Sequence, residues 1–537
     1  MSPGRWRHAV HATAGGLLLG LGVGALDALR AASLAGESSH ARALGLVTID
    51  TTVGGLVGLV LGLILVLAKK PGPGRWRVTA PALVVVLAAP AALVSTGGAP
   101  ATLEAELQAS WRLERPLPPL AAGSRPVVLI SLDTVRADAL DAMPALTRRA
   151  AAALRYPTAH STSSWTLPSM ASVHTGAPFP AHGAARMEMH GGLGVRTGLD
   201  PSLPTLAEQL RDRGYINAAV VTNPFNGMRY GMHRGFDRFF DLSRASLRAF
   251  ALRRSALLRP LVPARRDGAA EVGDAALALL DPLAGGRFFL WLHYLDAHTP
   301  YAADPAGFDP LGACELPTCF NGWSQVRTGA LTLDDTDRET IRHLYTTDLG
   351  HLDAQLDRVF AALDARGVLD DALVIVLADH GEEFWEHGGV EHGATFYEEV
   401  VHVPLLAWVP GRPGAVVTHN VDIAAVPEAV LAWVDTGALG PLEPGAPDRL
   451  TPMGSILFSG DGAACTDGRY KAIRLLGQAT TLHDLAADPG ETVDIAAREP
   501  ERRLRLEACL ATAQAAPGPT GAPGGDLPAL RALGYTE

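Results

Sequence analysis

Cysteine is scarce: four in 537 residues, with no CxxC pair among them, which excludes a zinc centre built from cysteines. Cys314 and Cys319 lie five apart in ACELPTCF, a spacing that suits a local disulfide outside the cytoplasm. Whether Cys465 and Cys509 pair depends on an approach of their Cβ atoms that the sequence does not encode. Long runs of one charge are also missing. The net charge of −11 is spread along the chain, and the lack of a basic patch argues against nucleic acid as a partner. No internal repeat is evident.

What the chain does have is apolar residues, concentrated in its first hundred positions. Three apolar segments, 10–29, 44–68 and 78–94, are each near the roughly 20 residues needed to cross a bilayer. Arg5 and Arg7 precede the first, and Lys69, Lys70, Arg75 and Arg77 lie between the second and third. These basic residues mark the cytoplasmic sides. Residues 1–98 are therefore expected to be a three-helix membrane anchor in the inner cell membrane. A juxtamembrane linker follows at 99–124, and the rest of the chain is expected outside the cytoplasm with the lipid bilayer as a partner.

The remainder is organised around VVLISLDTVRAD, residues 127–138. Its continuous apolar run predicts a central parallel strand covered on both faces. Asp133 follows at the carboxyl end, where ligands bind in open α/β sheets; read alone, it is equally a helix N-cap. Further apolar runs recur at 218–221, 288–292, 373–378 and 403–409, with helical patterns between them such as 206–213 and 343–365. The alternation predicts a doubly wound, mostly parallel α/β domain over 125–449. A small C-terminal α+β domain is expected over 450–513, with strands in SILFSG, RYKAIRLL and TTLHDL and a helix near 499–513. Residues 514–537 read as linker and tail.

Two more strand ends carry polar residues. The run 373–378 ends in Asp379 and His380, which with Asp133 supply three candidate metal ligands from two strand tips. In FFLWLHYLDAHTPY, His293 lies inside the apolar run and reads as a core histidine, whereas Asp296 and His298 lie beyond it toward the presumed site. Between these, STSSWTLPSM places Thr166 at a turn into a helix. A hydroxyl there is a candidate nucleophile for an anionic ester, and the competing reading is an N-cap. Among His387, His392 and His402, His392 is the one expected to reach substrate or a second ion, and His402 is read as structural.

The motifs LDTVRAD, SSWTLPSMASVHTG, HYLDAHTPY, ADHGEEFWEHG, HVPLLAWVPG and DGRYKAI, in that order, resemble the sulfatase family of the alkaline phosphatase superfamily over about residues 125–510. The resemblance implies cleavage or transfer of sulfate or phosphate esters. It places Asp133, Asp379 and His380 on metal-ligand positions, Thr166 on the nucleophile and also at the metal, and His298 on a residue that contacts the ester. Lys471 falls in a C-terminal motif read as structural.

The chain also departs from the family pattern. Active sulfatases convert a cysteine or serine in C/S-x-P-S-R to formylglycine, whereas this chain has TLPSM: Thr166 cannot be so converted, and Met170 replaces the arginine. Thr134 stands where the family has a second acid. The imidazole of His380 shifts the expected cofactor from Ca²⁺ toward Zn²⁺ or Mn²⁺. The Thr, Asp and Asp-His set looks like the phosphoryl-transferring branch.

The expectation is a membrane-anchored, metal-dependent enzyme in which Thr166 attacks a phosphate or sulfate ester and His298 and His392 assist. The alternative is a catalytically silent sulfatase-like domain acting as a membrane sensor or assembly protein. Loss of the formylglycine motif favours that alternative, and retention of the three metal positions opposes it.

Overall fold

Val127–Leu132 (β1) is buried along its whole length, as a run of Val, Leu and Ile without polar alternation requires. In the computed structural model, which describes residues 125–190, 193–243, 268–283, 285–306, 314–455, 457, 462–475, 477–514 and 523–524, it is an inner strand of an eight-stranded sheet. The other strands are Leu154–Arg155 (β2), Ile216–Val221 (β3), Arg238–Asp241 (β4), Phe288–Tyr294 (β5), Leu373–Ala378 (β6), Leu405–Trp408 (β7) and Ala415–Val416 (β8). Their order is β8-β2-β7-β6-β1-β5-β3-β4. The central pairings β6-β1, β1-β5, β5-β3 and β3-β4 are parallel, while β7 runs antiparallel to both β6 and β2. The expected mixed α/β fold with a large, mostly parallel sheet is therefore observed.

Every residue of β1, β3, β5 and β6 is buried, so both faces of the sheet centre are covered. Two helix groups pack against it: Thr166–Thr175 (α1) with Leu206–Asp212 (α2) and Val426–Thr436, and Gly268–Leu283 (α3) with Asp335–Ala365 (α4). Capping boxes at Thr205 and Asp334 start α2 and α4, each satisfying otherwise orphaned first-turn amides.

The C-terminal unit is a four-stranded antiparallel sheet, Thr451–Gly454, Ala463–Thr466, Tyr470–Arg474 and Thr481–Asp484, covered by the helix Pro500–Leu510. Its first strand ends before SILFSG, and Ala463–Thr466 is a strand that the sequence reading did not include. Both cysteine pairs are joined, Cys314 to Cys319 and Cys465 to Cys509, the second linking the sheet to its helix.

Lys471 is fully buried, with its ammonium 2.7 Å from Glu398 Oε1 and 2.8 Å from Glu491 Oε1. Glu398 also faces His160 and His402, so this cation ties the C-terminal sheet to the main domain. Lys471→Met would leave the buried Glu491 and the half-buried Glu398 without their cation, and we expect a loss of about 3 kcal/mol in stability, read by denaturant unfolding.

Among the described residues no helix is long and apolar enough to cross a membrane. The expected spans at 10–29, 44–68 and 78–94 lie outside the described residues, as do the whole 99–124 linker and most of the tail.

Candidate active site

Leu132 pairs with Ala378 across the parallel β1-β6 ladder, so the residues that follow, Asp133 and Asp379, emerge side by side at the strand ends. Gly381 lets the chain turn away just after His380: a Cβ there would meet Glu399 O at 2.2 Å. Polar residues at the ends of two neighbouring strands and at the start of α1 thus converge on one dry point, since Asp133, Asp379, His380 and Thr166 are all fully buried.

One ligand atom each from Asp133, Asp379 and His380 lies within 4.8 Å of the others. Asp133 Oδ1 and Asp379 Oδ2 are buried and make no hydrogen bond. His380 Nε2 lies 3.6 Å from the first and 3.5 Å from the second. Its Nδ1 lies 3.0 Å from Gly381 O, and because a carbonyl only accepts, Nδ1 carries the proton and Nε2 presents a lone pair. Burial pushes His380 down to about 3, so the ring is neutral.

The two carboxylates titrate in opposite directions. Burial, then the charge of Asp133, drives Asp379 well above the usual carboxylate range. Asp133 is also pushed up by burial, but the hydrogen bond from His293 and the nearby imidazoles outweigh that and hold it below the usual range. Two facing acids that cannot both stay charged, two orphaned oxygens and an imidazole lone pair are the donor set a divalent cation satisfies.

Thr166 opens α1, entered from an extended Trp165. Its Oγ1 is 3.3 Å from His380 Nε2 and 3.5 Å from Asp133 Oδ2. The loop that carries it is held from two sides. Ser161 Oγ lies 2.5 Å from Asp379 O, and the C-terminal unit reaches in, with Gly454 N donating to Thr162 O at 3.0 Å and Trp165 Nε1 donating to Ser455 Oγ at 3.1 Å.

Residues 125–436 match the family model described as Sulfatase. The chain belongs to the sulfatase family. Among curated relatives, the sulfatase-family chain is 25% identical over 244 residues to choline-sulfatase of Rhizobium meliloti (strain 1021), covering 38% of this chain and 46% of that one. It is 26% identical over 282 residues to the multifunctional alkaline phosphatase superfamily protein PehA of Trinickia caryophylli, covering 42% and 54%. It thus spans about half the length of these relatives. Among solved structures, the phosphonate monoester hydrolase SpPMH from Silicibacter pomeroyi superposes with a TM-score of 0.56 at 21% identity, over 72% of this chain and 94% of that one. At that identity the likeness is one of fold.

Of the residues expected at the site of this sulfatase-family protein, Asp133, Asp379 and His380 form one cluster, and Thr166 touches Asp133 and His380. His392 and His298 stand beside them, the His392 ring centroid 4.4 Å from that of His380 and 5.0 Å from that of His298. His392 Nδ1 lies 3.0 Å from Glu382 Oε1, and Tyr301 Oη donates to Glu382 Oε2 at 2.6 Å. Burial raises Glu382 to about 7 against the opposing imidazole of His298. Asp296 instead caps α3, accepting from Ala269 N at 2.7 Å. His402 is remote from the cluster, donating to Pro157 O at 2.8 Å and facing Glu398. Thr134, in the left-handed region at φ 56, gives its amide to Asp379 Oδ1 at 3.4 Å and supplies no acid.

Sequence reasoning missed Asn223. It stands just past the end of β3, and its Nδ2 donates to Asp133 Oδ2 at 2.6 Å and lies 3.2 Å from Thr166 Oγ1. The signal was present, since TNP follows an apolar strand as LDT and ADH do. His293 was read only as a core residue, yet its Nε2 is 3.3 Å from Asp133 Oδ2.

Proposed function

We propose that this chain is a metal-dependent hydrolase or transferase of phosphate or sulfate esters with Thr166 as nucleophile. Asp133, Asp379 and His380, with Thr166, would hold the ion, which when bound supplies Lewis acidity and lowers the proton affinity of an oxygen nucleophile. The observation that carries the reading is the placement of a buried threonine hydroxyl within 3.5 Å of two of the three residues whose orphaned donors fit a cation.

Asn223 orients both partners. Its amide fixes Asp133 Oδ2 and holds the Thr166 oxygen on the side of His380. The threonine hydroxyl passes its proton to the imidazole of His298 or His392 as its oxygen bonds to phosphorus or sulfur and the bond to the ester oxygen breaks, and the imidazole gives that proton to the departing oxygen. The resulting phospho- or sulfothreonine is released to water or to an acceptor alcohol. His298 and His392 also hold the non-bridging oxygens. The phosphonate monoester hydrolase bears a name from the phosphoryl side of the superfamily, choline-sulfatase one from the sulfate side, and PehA is named multifunctional; the unconvertible Thr166 favours phosphorus. The domain is carried outside the cytoplasm behind the apolar segments of residues 1–98.

A panel of 4-nitrophenyl phosphate, phosphonate, phosphodiester and sulfate with Zn²⁺, Mn²⁺ or Ca²⁺ tests the reading. Turnover of phosphorus esters with Zn²⁺ or Mn²⁺ supports it, and turnover of sulfates alone contradicts the preference for phosphorus. Asn223→Ala should lower kcat by about 10- to 100-fold, the range for losing a residue that orients a metal ligand.

A further inference from the structure

Asp133 is the only candidate ligand whose second oxygen is held by an imidazole, and that imidazole belongs to a longer chain of hydrogen bonds inside the sheet. Ser131 and His293 are cross-strand partners on the β1-β5 ladder, and Leu129 and Trp291 are partners two residues earlier. Side chains on one face recur every second residue, so Trp291 and His293 share a face of β5, and Ser131 and Asp133 share the corresponding face of β1. Trp291 Nε1 lies 2.9 Å from Ser131 Oγ, Ser131 Oγ lies 2.8 Å from His293 Nδ1, and His293 Nε2 lies 3.3 Å from Asp133 Oδ2. All four side chains are fully buried.

The direction of this chain is fixed by chemistry. The indole N–H can only donate, so Ser131 accepts from Trp291 and its own hydroxyl proton is free to go to His293 Nδ1. With Nδ1 accepting, the ring N–H is at Nε2, which donates to Asp133. Three consecutive donors end on the carboxylate oxygen opposite the orphaned Oδ1. The bond from Asn223 Nδ2 at 2.6 Å falls on that same Oδ2. Oδ2 is thus occupied by His293, Asn223 and, at 3.5 Å, Thr166, while Oδ1 is left facing His380 Nε2 at 3.6 Å.

We infer that Trp291, Ser131 and His293 are positioning residues for the metal site: they lock the rotation of the Asp133 carboxylate so that Oδ1 is presented to the ion. The inference rests on the metal-dependent reading above and adds residues to it that touch neither substrate nor ion. A purely packing role for His293 would explain its burial but not its place between a donor and the carboxylate, nor the polar Ser131 in the middle of an otherwise apolar strand.

The test is titration of Mn²⁺ and Zn²⁺ into the metal-stripped full chain by calorimetry, with melting temperatures of metal-free and metal-loaded protein alongside. Because residues that orient a ligand typically change affinity by about 10- to 100-fold when lost, His293→Gln is expected to weaken both ions by that factor. Ser131→Ala should weaken them in the same direction, and the double variant should be no weaker than His293→Gln alone, since both cut one chain. Trp291→Phe, which keeps an aromatic ring and removes only the first donor, guards against failure to fold and should also weaken binding. Affinities within about twofold of wild type in His293→Gln and Ser131→Ala, with lowered melting temperature in metal-free and loaded protein alike, would assign these residues to packing and overturn the inference. A wild-type chain that binds neither ion overturns both this inference and the reading it rests on, whereas wild-type binding with unaffected variants overturns this inference alone.

Discussion

Thr166→Val is expected to abolish turnover, with a fall in kcat of about 10⁴-fold or more, the scale on which loss of a covalent nucleophile acts. Valine keeps the branched shape of threonine at a fully buried helix start, so packing around α1 survives. What disappears is the oxygen 3.3 Å from His380 Nε2 and 3.2 Å from Asn223 Nδ2. Thr166→Ser restores an oxygen at the same place and is expected to retain measurable turnover. The two variants measured together, with melting temperatures, separate loss of the nucleophile from loss of the fold. Valine and serine variants of equal activity would mean that the hydroxyl takes no part.

Removal of the ion is expected to have an effect of similar size. Chelation should extinguish activity, and Zn²⁺ or Mn²⁺ should restore it, with Ca²⁺ the poorer substitute. Without the ion, Asp133 and Asp379 face each other in a dry site and one must take up a proton. A bound divalent cation relieves that conflict. Binding to the folded state alone adds about 2.7 kcal/mol of stability at a free-ion concentration one hundred times the dissociation constant, so the melting temperature should rise on loading. Asp379→Asn, similar in shape but uncharged, should lose the restoration and most of the thermal gain together. Full activity in chelated protein would remove the ion from the reaction.

The parts of the site legible in the sequence are those where a polar residue ends a run of apolar β-formers. VVLISLDT and LVIVLADH point to Asp133, Asp379 and His380 because two buried strands stop on acids, where one such end alone reads equally as a helix N-cap. Thr166 and the two flanking histidines came from the resemblance as much as from pattern. Asn223 follows the same strand-end logic, but its neighbour is Thr222 and neither is an acid or an imidazole that would mark a metal site. His293 shows the converse problem: an imidazole inside FFLWLHY is a core residue by burial, and only the register of β5 against β1 reveals that it also reaches Asp133.

In the C-terminal sheet the first strand, Thr451–Gly454, contains Pro452 and a glycine, both poor strand residues. It is tolerated because it is an edge strand. Ala463–Thr466 has almost no β-branched or aromatic content and is a strand because Tyr470–Arg474 and Thr451–Gly454 pair with it on either side. Strand direction was equally silent: the apolar run around Leu405–Trp408 is as hydrophobic as its parallel neighbours, yet it pairs antiparallel with β6.

The central claim is a covalent bond between the substrate's phosphorus or sulfur and the oxygen of one threonine. Rapid acid quench during turnover of a phosphorus-labelled ester, followed by peptide mapping, reads that bond directly. The account predicts label on the peptide that carries Thr166 and none in Thr166→Val. Turnover without label at Thr166, or label that persists in the valine variant, would contradict it.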